Sequence, residues 1–223
     1  MGTPAIVQAR LGSHRLPGKV LREAEGKTVL MHVVDRLRQS KLSDIVVAIS
    51  NEKSDDALAE YCLRHGLVHH RGPLNDVAAR FAEVIERFRF RSFARICADS
   101  PLLDPRVVDE ALRMFEGGAY EIVTNVLNRS FPNGQSVEVF DAGTFLKGQR
   151  RITDPADKEH VTSFFYKNAA QFKIGSFSAD QDYSNVRLCV DTPEDFERFQ
   201  LLLRTAKRPI VDYGWREMLK DLS

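Results

Sequence analysis

The sequence predicts an α/β fold with a mostly parallel, open sheet and helices on both of its faces. Two observations carry this prediction. Short apolar runs alternate along the chain with amphipathic segments of helical length, which is the order that βαβ units produce. The composition, 43% hydrophobic and 28% charged over 223 residues, is typical of a globular protein. Because no repeat or linker-like stretch divides the chain, we expect residues 1–223 to form a single domain.

Seven short runs are predicted to be strands, because each is too brief for a helix and several are rich in β-branched residues. The fifth run also alternates between apolar and polar residues, which is typical of a strand with one buried face. In chain order the runs lie at 4–9, 45–49, 93–98, 122–124, 137–140, 172–177 and 186–190.

Seven amphipathic segments are predicted to be helices, and most of them begin at a residue that can cap a helix N-terminus. The predicted caps are the side chains of Thr28, Ser54, Asn75, Asp104 and Thr192. In chain order the segments lie at 28–37, 54–65, 75–88, 104–114, 158–168, 192–205 and 212–219.

Charge and hydropathy argue against two classes of partner. The chain has 32 Lys and Arg residues against 31 Asp and Glu residues, whereas a domain that binds nucleic acid normally carries a strong basic excess. The longest uninterrupted apolar run, 45–49, is far too short to cross a membrane. The three cysteines show no paired or metal-binding spacing, so we expect them to be reduced and the protein to be cytoplasmic.

The loop after the first predicted strand is rich in cations, since residues 1–22 contain Arg10, Arg15, Lys19 and Arg22 and no acidic residue. Backbone N–H groups together with guanidinium and ammonium groups suit a polyphosphate. The loop is not a Walker A motif, because five residues separate its glycines and no hydroxyl residue follows the lysine. A solvated basic turn is the alternative. The position favours a phosphate site, because ligands of open α/β sheets bind where the strands end.

Two aspartates, Asp99 and Asp191, each follow an apolar run directly. If both runs are neighbouring strands, the two carboxylates can hold one magnesium ion, which prefers a few carboxylates together with phosphate oxygens and water. Ordinary turn and cap chemistry is the alternative, because aspartate is common at such positions. If the two aspartates lie at the same site as the cationic loop, a magnesium site is favoured over turn and cap chemistry.

Four motifs carry a resemblance to a known family: QARLGSHRLPGKVL at 8–21, DSPLLDP at 99–105, EHVT at 159–162 and VDTPEDF at 190–196. In this order they resemble the cytidylyltransferases that activate acidic sugars, such as the CMP-ketodeoxyoctonate and CMP-sialate synthetases. Within that family they are similar to the branch named after spore-coat polysaccharide biosynthesis protein F. The resemblance covers about 5–199. It implies a Rossmann-like nucleotide-diphospho-sugar transferase fold, dependence on Mg²⁺ and a homodimer.

The resemblance also assigns residues to roles. The nucleotide-binding group comprises Ala9, Arg10, Gly12, Ser13, Arg15, Lys19, Asn75, Asp76 and Arg80. The catalytic group comprises Arg10, Arg15, Lys19 and Asp99, and the metal ligands are Asp99 and Asp191. The group on the sugar side comprises Gly134, Glu138, Glu159 and His160. For this last group there is a structural alternative, in which Glu159 and His160 begin a helix and Glu138 is a solvated strand residue.

The implied reaction is cytidylyl transfer from CTP to a small acidic sugar, with release of pyrophosphate, for the synthesis of a surface polysaccharide or glycan. Two alternatives remain open. The acceptor can be a sugar 1-phosphate or another phosphorylated or phosphonate compound, with CTP or GTP as donor, or the chain can be a glycosyltransferase of similar fold. The segment 133–138, NGQSVE, replaces the commoner DGLDVE of the family, which leaves the acceptor open. A subregion around 125–185 is expected to serve the sugar side or dimerisation.

Overall fold

The computed structural model of the chain describes residues 2–221. Within them, a seven-stranded sheet has helices on both faces, and two further strands form an antiparallel hairpin. The α/β prediction is therefore confirmed. The strands are β1 (Ala5–Gln8), β2 (Glu23–Ala24), β3 (Lys27–Thr28), β4 (Ile45–Ser50), β5 (His69–Gly72), β6 (Ser92–Cys97), β7 (Ile122–Thr124), β8 (Glu138–Asp141) and β9 (Ile174–Ser176).

Several helices begin where the local sequence predicts. The side chains of Thr28, Asp104 and Thr192 each accept a hydrogen bond from a backbone N–H in the first turn of the helix that follows. In the part of the chain that the structure describes, no helix has the length and apolar character needed to cross a membrane. The α-helices are α1 (Val29–Leu37), α2 (Asp56–Arg64), α3 (Val77–Phe88), α4 (Pro105–Glu116), α5 (Ala142–Gln149), α6 (Pro155–Glu159), α7 (Ser163–Lys167), α8 (Pro193–Thr205) and α9 (Trp215–Asp221).

The strand order of the large sheet is β5-β4-β1-β6-β8-β7-β9. Strands β1, β4, β5 and β6 are parallel, and β8 runs opposite to both of its neighbours. The last residue of β1, Gln8, pairs with Cys97, the last residue of β6. Arg10 and Asp99 therefore leave the sheet at the same edge, where the carboxyl ends of the parallel strands meet.

Each face of the sheet is covered by its own apolar cluster, and β1 contributes to both because successive side chains point to opposite faces. Val7 belongs to the cluster that contains residues of α1, α2, α4 and α8. Ile6 belongs to the cluster that contains residues of α3, α5 and α7, in which phenylalanine rings predominate. The buried rings that contact one another in this second cluster are Phe81, Phe93, Phe140, Phe145, Phe164 and Phe165.

The strand predicted at 186–190 is not formed. Apart from one isolated bridge between Asn133 and Arg187, this segment is irregular. Its backbone instead bonds to loops, with Leu188 N–H donating to Asn133 O at 2.7 Å and Val190 N–H donating to Asp99 O at 2.8 Å. Apolar and β-branched residues are typical of buried segments as well as of strands. Here the composition of 186–190 reflects burial without a sheet partner.

Two predicted caps are each wrong by one residue. Ser54 lies inside a 3₁₀ turn, and α2 begins at Asp56. The residue before α2, Asp55, does not cap it, because its carboxylate accepts from Leu11 N–H and Ser50 Oγ instead. For α3 the cap is Asp76 rather than Asn75, with Asp76 Oδ1 accepting from a backbone N–H at 2.8 Å. Both residue types cap well, so the local sequence does not choose between them.

The helix predicted at 158–168 is two short helices, α6 and α7, separated at 160–162. Glu159 consequently ends a helix, and His160 follows it, so neither begins a helix as the structural alternative held. The final predicted helix, 212–219, begins later, at Trp215. Helix α5 and strand β5 were not predicted.

Candidate active site

A cavity of about 310 Å³ lies at the sheet edge where β1 and β6 end. Three separate parts of the chain line it: the cationic loop after β1, the residue that follows Ala98, and the segment before α8. The lining residues that were predicted from the sequence are Ala9, Arg10, Ser13, Arg15, Lys19, Asp99 and Asp191. The cations and the two aspartates thus meet at one place.

The cationic loop is anchored by apolar side chains. Leu16 and Val20 are almost completely buried in the cluster that Val7 also joins. Between them, Gly18 has a φ of 68°, a conformation that glycine adopts without strain. The loop then tightens into a 3₁₀ turn over Lys19–Leu21. Since both anchors are fixed in the core, the aliphatic stem of Lys19 is buried as well.

The ammonium group of Lys19 lies between the two predicted metal ligands. Its Nζ donates to Asp99 Oδ2 at 2.8 Å and to Asp191 Oδ1 at 3.1 Å. Burial by itself lowers the pKa of Lys19, but attraction to the two carboxylates outweighs burial and raises the pKa above its ordinary value. Lys19 is therefore a fixed positive charge at neutral pH.

Asp191 is positioned by the start of α8 rather than by a strand. Asp195 Oδ2 accepts from the backbone N–H groups of Asp191 and Thr192, each at 3.1 Å, and Arg187 donates to the same carboxylate. Burial opposes the charge of Asp195, yet Arg187 and these N–H groups lower its pKa. Asp191 itself forms ion pairs with Lys19 and with Arg15.

The donor set at this site is compatible with a divalent metal ion such as magnesium. Asp99 and Asp191 supply two carboxylates, and both line the open cavity. No group of three or more His, Cys, Asp or Glu side chains suited to a metal is found within residues 2–221. Magnesium characteristically uses one or two carboxylates and completes its shell with phosphate oxygens and water. The two aspartates therefore suit a metal site that is completed by phosphate oxygens and water, rather than a site closed by protein ligands alone.

Comparison with known proteins decides the family. A family model described as "Cytidylyltransferase" matches residues 4–216, which is nearly the whole chain. The chain belongs to the cytidylyltransferase family. It is accordingly a nucleotidyltransferase, and its family includes enzymes that act on sugar substrates.

Two relatives and one solved structure show the range of similarity. The chain is 32% identical to the spore coat polysaccharide biosynthesis protein SpsF of Bacillus subtilis, over 92% of this chain and 88% of the relative. It is 31% identical to a 3-deoxy-manno-octulosonate cytidylyltransferase of Serratia proteamaculans, over 70% and 65% of the two chains. The structure of a cytidylyltransferase from Leptospira borgpetersenii matches with a TM-score of 0.92 and 27% identity, over 100% and 94% of the chains.

The cytidylyltransferase brings one residue predicted for the sugar side next to its cationic loop. Glu159 Oε1, at the end of α6, lies 3.2 Å from a guanidinium nitrogen of Arg10. A second ion pair, between Lys158 and Asp76 at 3.7 Å, joins the same short helix to the start of α3. His160 follows α6 and is exposed, outside the cavity wall. Helix α6 is thus held by two ion pairs close to the cationic loop.

Arg80, predicted to bind nucleotide, does not line the cavity. Its side chain is completely buried, and none of its three guanidinium nitrogens has a hydrogen-bond partner among the described residues. Burial lowers the pKa of Arg80 to about 10, so the group still carries its charge at neutral pH. Asn75 is exposed, and Asp76 is the helix cap described above. This predicted group therefore lies outside the cavity wall.

Gly134 has a packing role that the sequence does not reveal. Its φ is 99°, and a Cβ built on it would approach Leu188 O and Cys189 N to 2.7 Å. The glycine therefore lets the segment that leads to Asp191 pass close by. Gly12 differs, since a Cβ there would meet nothing within 4 Å.

Glu138 is buried rather than solvated, which overturns the structural alternative for this residue. Only 1% of it is exposed, on β8, where it forms an ion pair with Arg95 and accepts a hydrogen bond from the hydroxyl of Tyr166. Arg95 in turn donates to Gln8 Oε1. Glu138 therefore does not line the cavity itself and is connected to it through Arg95 and Gln8.

Sequence reasoning missed several residues of the cavity wall. The strand-end rule points to residues that follow a predicted strand, whereas the last residues of β1 and β6 also face the cavity. The missed residues are Gln8, His14, Val20, Cys97 and Ala98. Applying the same strand-end rule two positions earlier, at the last residues of β1 and β6, would have found Gln8 and Cys97.

Proposed function

We propose that this cytidylyltransferase uses CTP and Mg²⁺ to activate an acidic sugar, releasing pyrophosphate. The observation that carries the proposal is the position of Lys19 Nζ between Asp99 and Asp191, in a cavity lined also by Arg10 and Arg15. This arrangement collects the charges that a triphosphate and its metal need. Family membership supports CTP as the donor. The names of the two relatives support an acidic sugar as acceptor and a polysaccharide as the eventual product.

In the proposed reaction, an oxygen of the acceptor attacks the α-phosphorus of CTP in line. A bond from that oxygen to phosphorus forms, the bond from phosphorus to the pyrophosphate oxygen breaks, and the proton of the acceptor hydroxyl is released to water. Such chemistry depends on positioning and on neutralisation of charge more than on covalent help from the protein. Lys19 and Arg15 hold the β- and γ-phosphates, and Arg10 stabilises the charge that grows at the α-phosphate.

Asp99 and Asp191 would hold the magnesium ion. When bound, the ion supplies charge stabilisation at the phosphate oxygens and orients donor and acceptor. Lys19 then exchanges its two carboxylate partners for phosphate oxygens. This exchange leaves the number of ion pairs at the site nearly unchanged. Lys19 would gain phosphate oxygens where it loses the carboxylates, and the carboxylates would gain the metal ion.

Pyrophosphate release, measured in the presence of Mg²⁺ over a matrix of substrates, tests the proposal. The four nucleoside triphosphates are each combined with acidic sugars, sugar 1-phosphates and phosphonates. We expect release with CTP and an acidic sugar. Release with CTP or GTP and only a phosphorylated acceptor would support the second kind of transferase instead, and binding of a nucleotide-sugar with no pyrophosphate release would indicate a glycosyltransferase.

A pair of variants links the activity to the site. Asp99→Asn keeps the size of the side chain and removes one proposed metal ligand, so we expect it to lose most turnover. Asp35→Asn is the matched control, because Asp35 also pairs with a lysine, Lys27 at 2.6 Å, but on the exposed surface. Near-normal turnover of Asp99→Asn would contradict the proposed site.

A further inference from the structure

Leu11 is the residue at which the cationic loop closes on itself. Its carbonyl oxygen accepts from the N–H of Ser13 at 2.8 Å and from the N–H of Gly18 at 3.0 Å, so the two ends of the loop are joined. Arg10 directly precedes this junction, and Lys19 directly follows it. A shift of Leu11 would therefore move both cations relative to the cavity that they line.

The carboxylate of Asp55 holds Leu11 from outside the loop. Asp55 Oδ1 accepts from the N–H of Leu11 at 2.6 Å, although 44 positions separate the two residues. The other carboxylate oxygen, Oδ2, accepts from the hydroxyl of Ser50, the last residue of β4. Asp55 is only 1% exposed, so water has little access to either bond. Because β4 pairs with β1, the bonds of Asp55 tie the loop back to the sheet from which it leaves.

Asp55 stands where a helix cap is expected, yet it serves the loop. It directly precedes α2, a position at which an aspartate side chain usually accepts from the first helical turn. Among the described residues, its carboxylate accepts from no N–H group of α2. The carboxylate is directed to Leu11 instead, which favours a role in the loop over a role in the helix.

A buried cation accompanies this carboxylate. Arg80, on α3, is completely buried, and its guanidinium has no hydrogen-bond partner within residues 2–221. Burial lowers the pKa of Arg80 to about 10, while the negative charge of Asp55 acts in the opposite direction. Arg80 thus stays positive at neutral pH, and its charge offsets part of the cost of burying the carboxylate.

We propose that Asp55 is a positioning residue for the triphosphate, because its carboxylate fixes Leu11 and thereby holds the two flanking cations where they bind phosphate. This inference rests on the proposed function, in which Arg10 and Lys19 bind the triphosphate. Asp55 acts without touching the ligand, since it is not part of the cavity wall that the described residues form. A loop that is already fixed loses less conformational freedom when the ligand binds, and this raises the affinity.

Binding of inorganic tripolyphosphate in the presence of Mg²⁺, followed by isothermal titration, tests the inference on the full chain. Asp55→Ala removes the acceptor for the N–H of Leu11, so we expect the Kd for tripolyphosphate to rise about tenfold. Asp55→Asn keeps an oxygen that accepts from the same N–H, so we expect it to restore the Kd to within about threefold of the wild-type value.

A double-variant cycle with Arg10→Met separates positioning from a general loss of stability. If Asp55 acts by holding Arg10 and Lys19, its effect must shrink when one of the two cations is absent. We expect Asp55→Ala to raise the Kd about tenfold in the wild-type chain but less than about threefold in the Arg10→Met chain. A merely structural role would leave the two effects additive.

Asp109→Ala is the matched control. Asp109 Oδ1 also accepts from a distant backbone N–H, that of Lys41 at 2.7 Å, but neither residue belongs to the cavity wall of the described chain, so the Kd should not change. Thermal melting shows which variants are folded. If Asp55→Ala is not, Ser50→Ala takes its place in the cycle, because it frees Oδ2 of Asp55 and should raise the Kd about threefold.

The outcomes separate the inference from the proposed function. If Arg10→Met weakens binding but Asp55→Ala, or Ser50→Ala in its place, does not, the role of Asp55 alone is overturned. Additive effects in the cycle also overturn it, as does an Asp55→Asn chain that is folded but binds as weakly as Asp55→Ala. A wild-type chain that does not bind tripolyphosphate, or an Arg10→Met chain that binds it as well as the wild type, overturns the proposed triphosphate site too.

Discussion

The ammonium of Lys19 lies 2.8 Å from a carboxylate oxygen of Asp99, although 80 positions separate the two residues in the chain. The same ammonium also contacts Asp191. In the free protein a lysine therefore neutralises the carboxylates that we assign to a metal. Lysine and metal compete for the same oxygens, and this competition can be measured.

Lys19→Met is expected to strengthen binding of Mn²⁺ in the absence of nucleotide. Removing the ammonium leaves Asp99 without its lysine and Asp191 with only its arginine partners, so the two carboxylates attract a divalent cation more strongly. The electron paramagnetic resonance signal of free Mn²⁺ reports the affinity. Turnover should nevertheless fall by about 10² to 10³, the usual cost of removing one group that stabilises transition-state charge.

Lys27→Met is the control for this experiment, because Lys27 pairs with Asp35 at 2.6 Å outside the cavity. It should leave both Mn²⁺ affinity and turnover unchanged. Weaker Mn²⁺ binding by Lys19→Met would show that lysine and metal do not share the carboxylates.

Asp195→Asn is expected to destabilise the fold at neutral pH but not in strong acid. Burial opposes its charge, but Arg187 and backbone N–H groups lower the pKa of Asp195 below its ordinary value of 3.8. A depressed pKa contributes stability that is present above 3.8 and is lost as the pH falls through the folded-state value. Urea unfolding should show a difference of about 1 to 3 kcal/mol at pH 7. The difference should shrink below pH 3.8.

Asp154→Asn serves as the control for Asp195→Asn, since Asp154 also caps a helix but is exposed. Its effect on unfolding should be small at every pH, because asparagine caps nearly as well as aspartate. A stability difference for Asp195→Asn that persisted at low pH would show that its charge is not what stabilises this region.

Arg36→Met is expected to cost about 3 kcal/mol or more of stability, because it leaves buried carbonyls without a donor. Arg36 is 1% exposed, and its guanidinium donates to the carbonyls of Leu103, Ile210 and Tyr213 at 2.6 to 2.9 Å. It thereby joins α1 to the segment before α9. Urea unfolding measures the loss, and Arg38→Met, at an exposed position three residues from its partner Asp35, should change stability by less than about 1 kcal/mol.

Gly134→Ala and Gly12→Ala are expected to behave differently, although the sequence places both glycines in predicted site motifs. At Gly134 a φ of 99° and a contact of 2.7 Å with Leu188 O oppose any side chain, so the cost should be about 1 to 3 kcal/mol. At Gly12 a Cβ would have open space, so stability should hardly change. Thermal melting of the two variants compares them, and equal melting temperatures would contradict the packing role of Gly134.

Features that depend on neighbouring residues could be predicted from the sequence. The caps at Thr28, Asp104 and Thr192 follow from side-chain chemistry within one helical turn. The shift from Asn75 to Asp76 at α3 marks the limit of such reasoning, because both residues suit the same role. The strand predicted at 186–190 is wrong because apolar residues are also typical of buried irregular segments, and burial does not require a sheet partner.

The sequence by itself determined the alternation of strands and helices, the cationic loop and the two aspartates that follow apolar runs. Only the tertiary structure decided that Lys19 reaches both aspartates, that Glu138 is buried behind Gln8, and that Gly134 makes room for Leu188. The physical reason is the separation along the chain over which each kind of interaction acts. Secondary structure and capping act over a few residues, whereas these contacts join segments that the chain brings together only when β1, β6 and the start of α8 have packed.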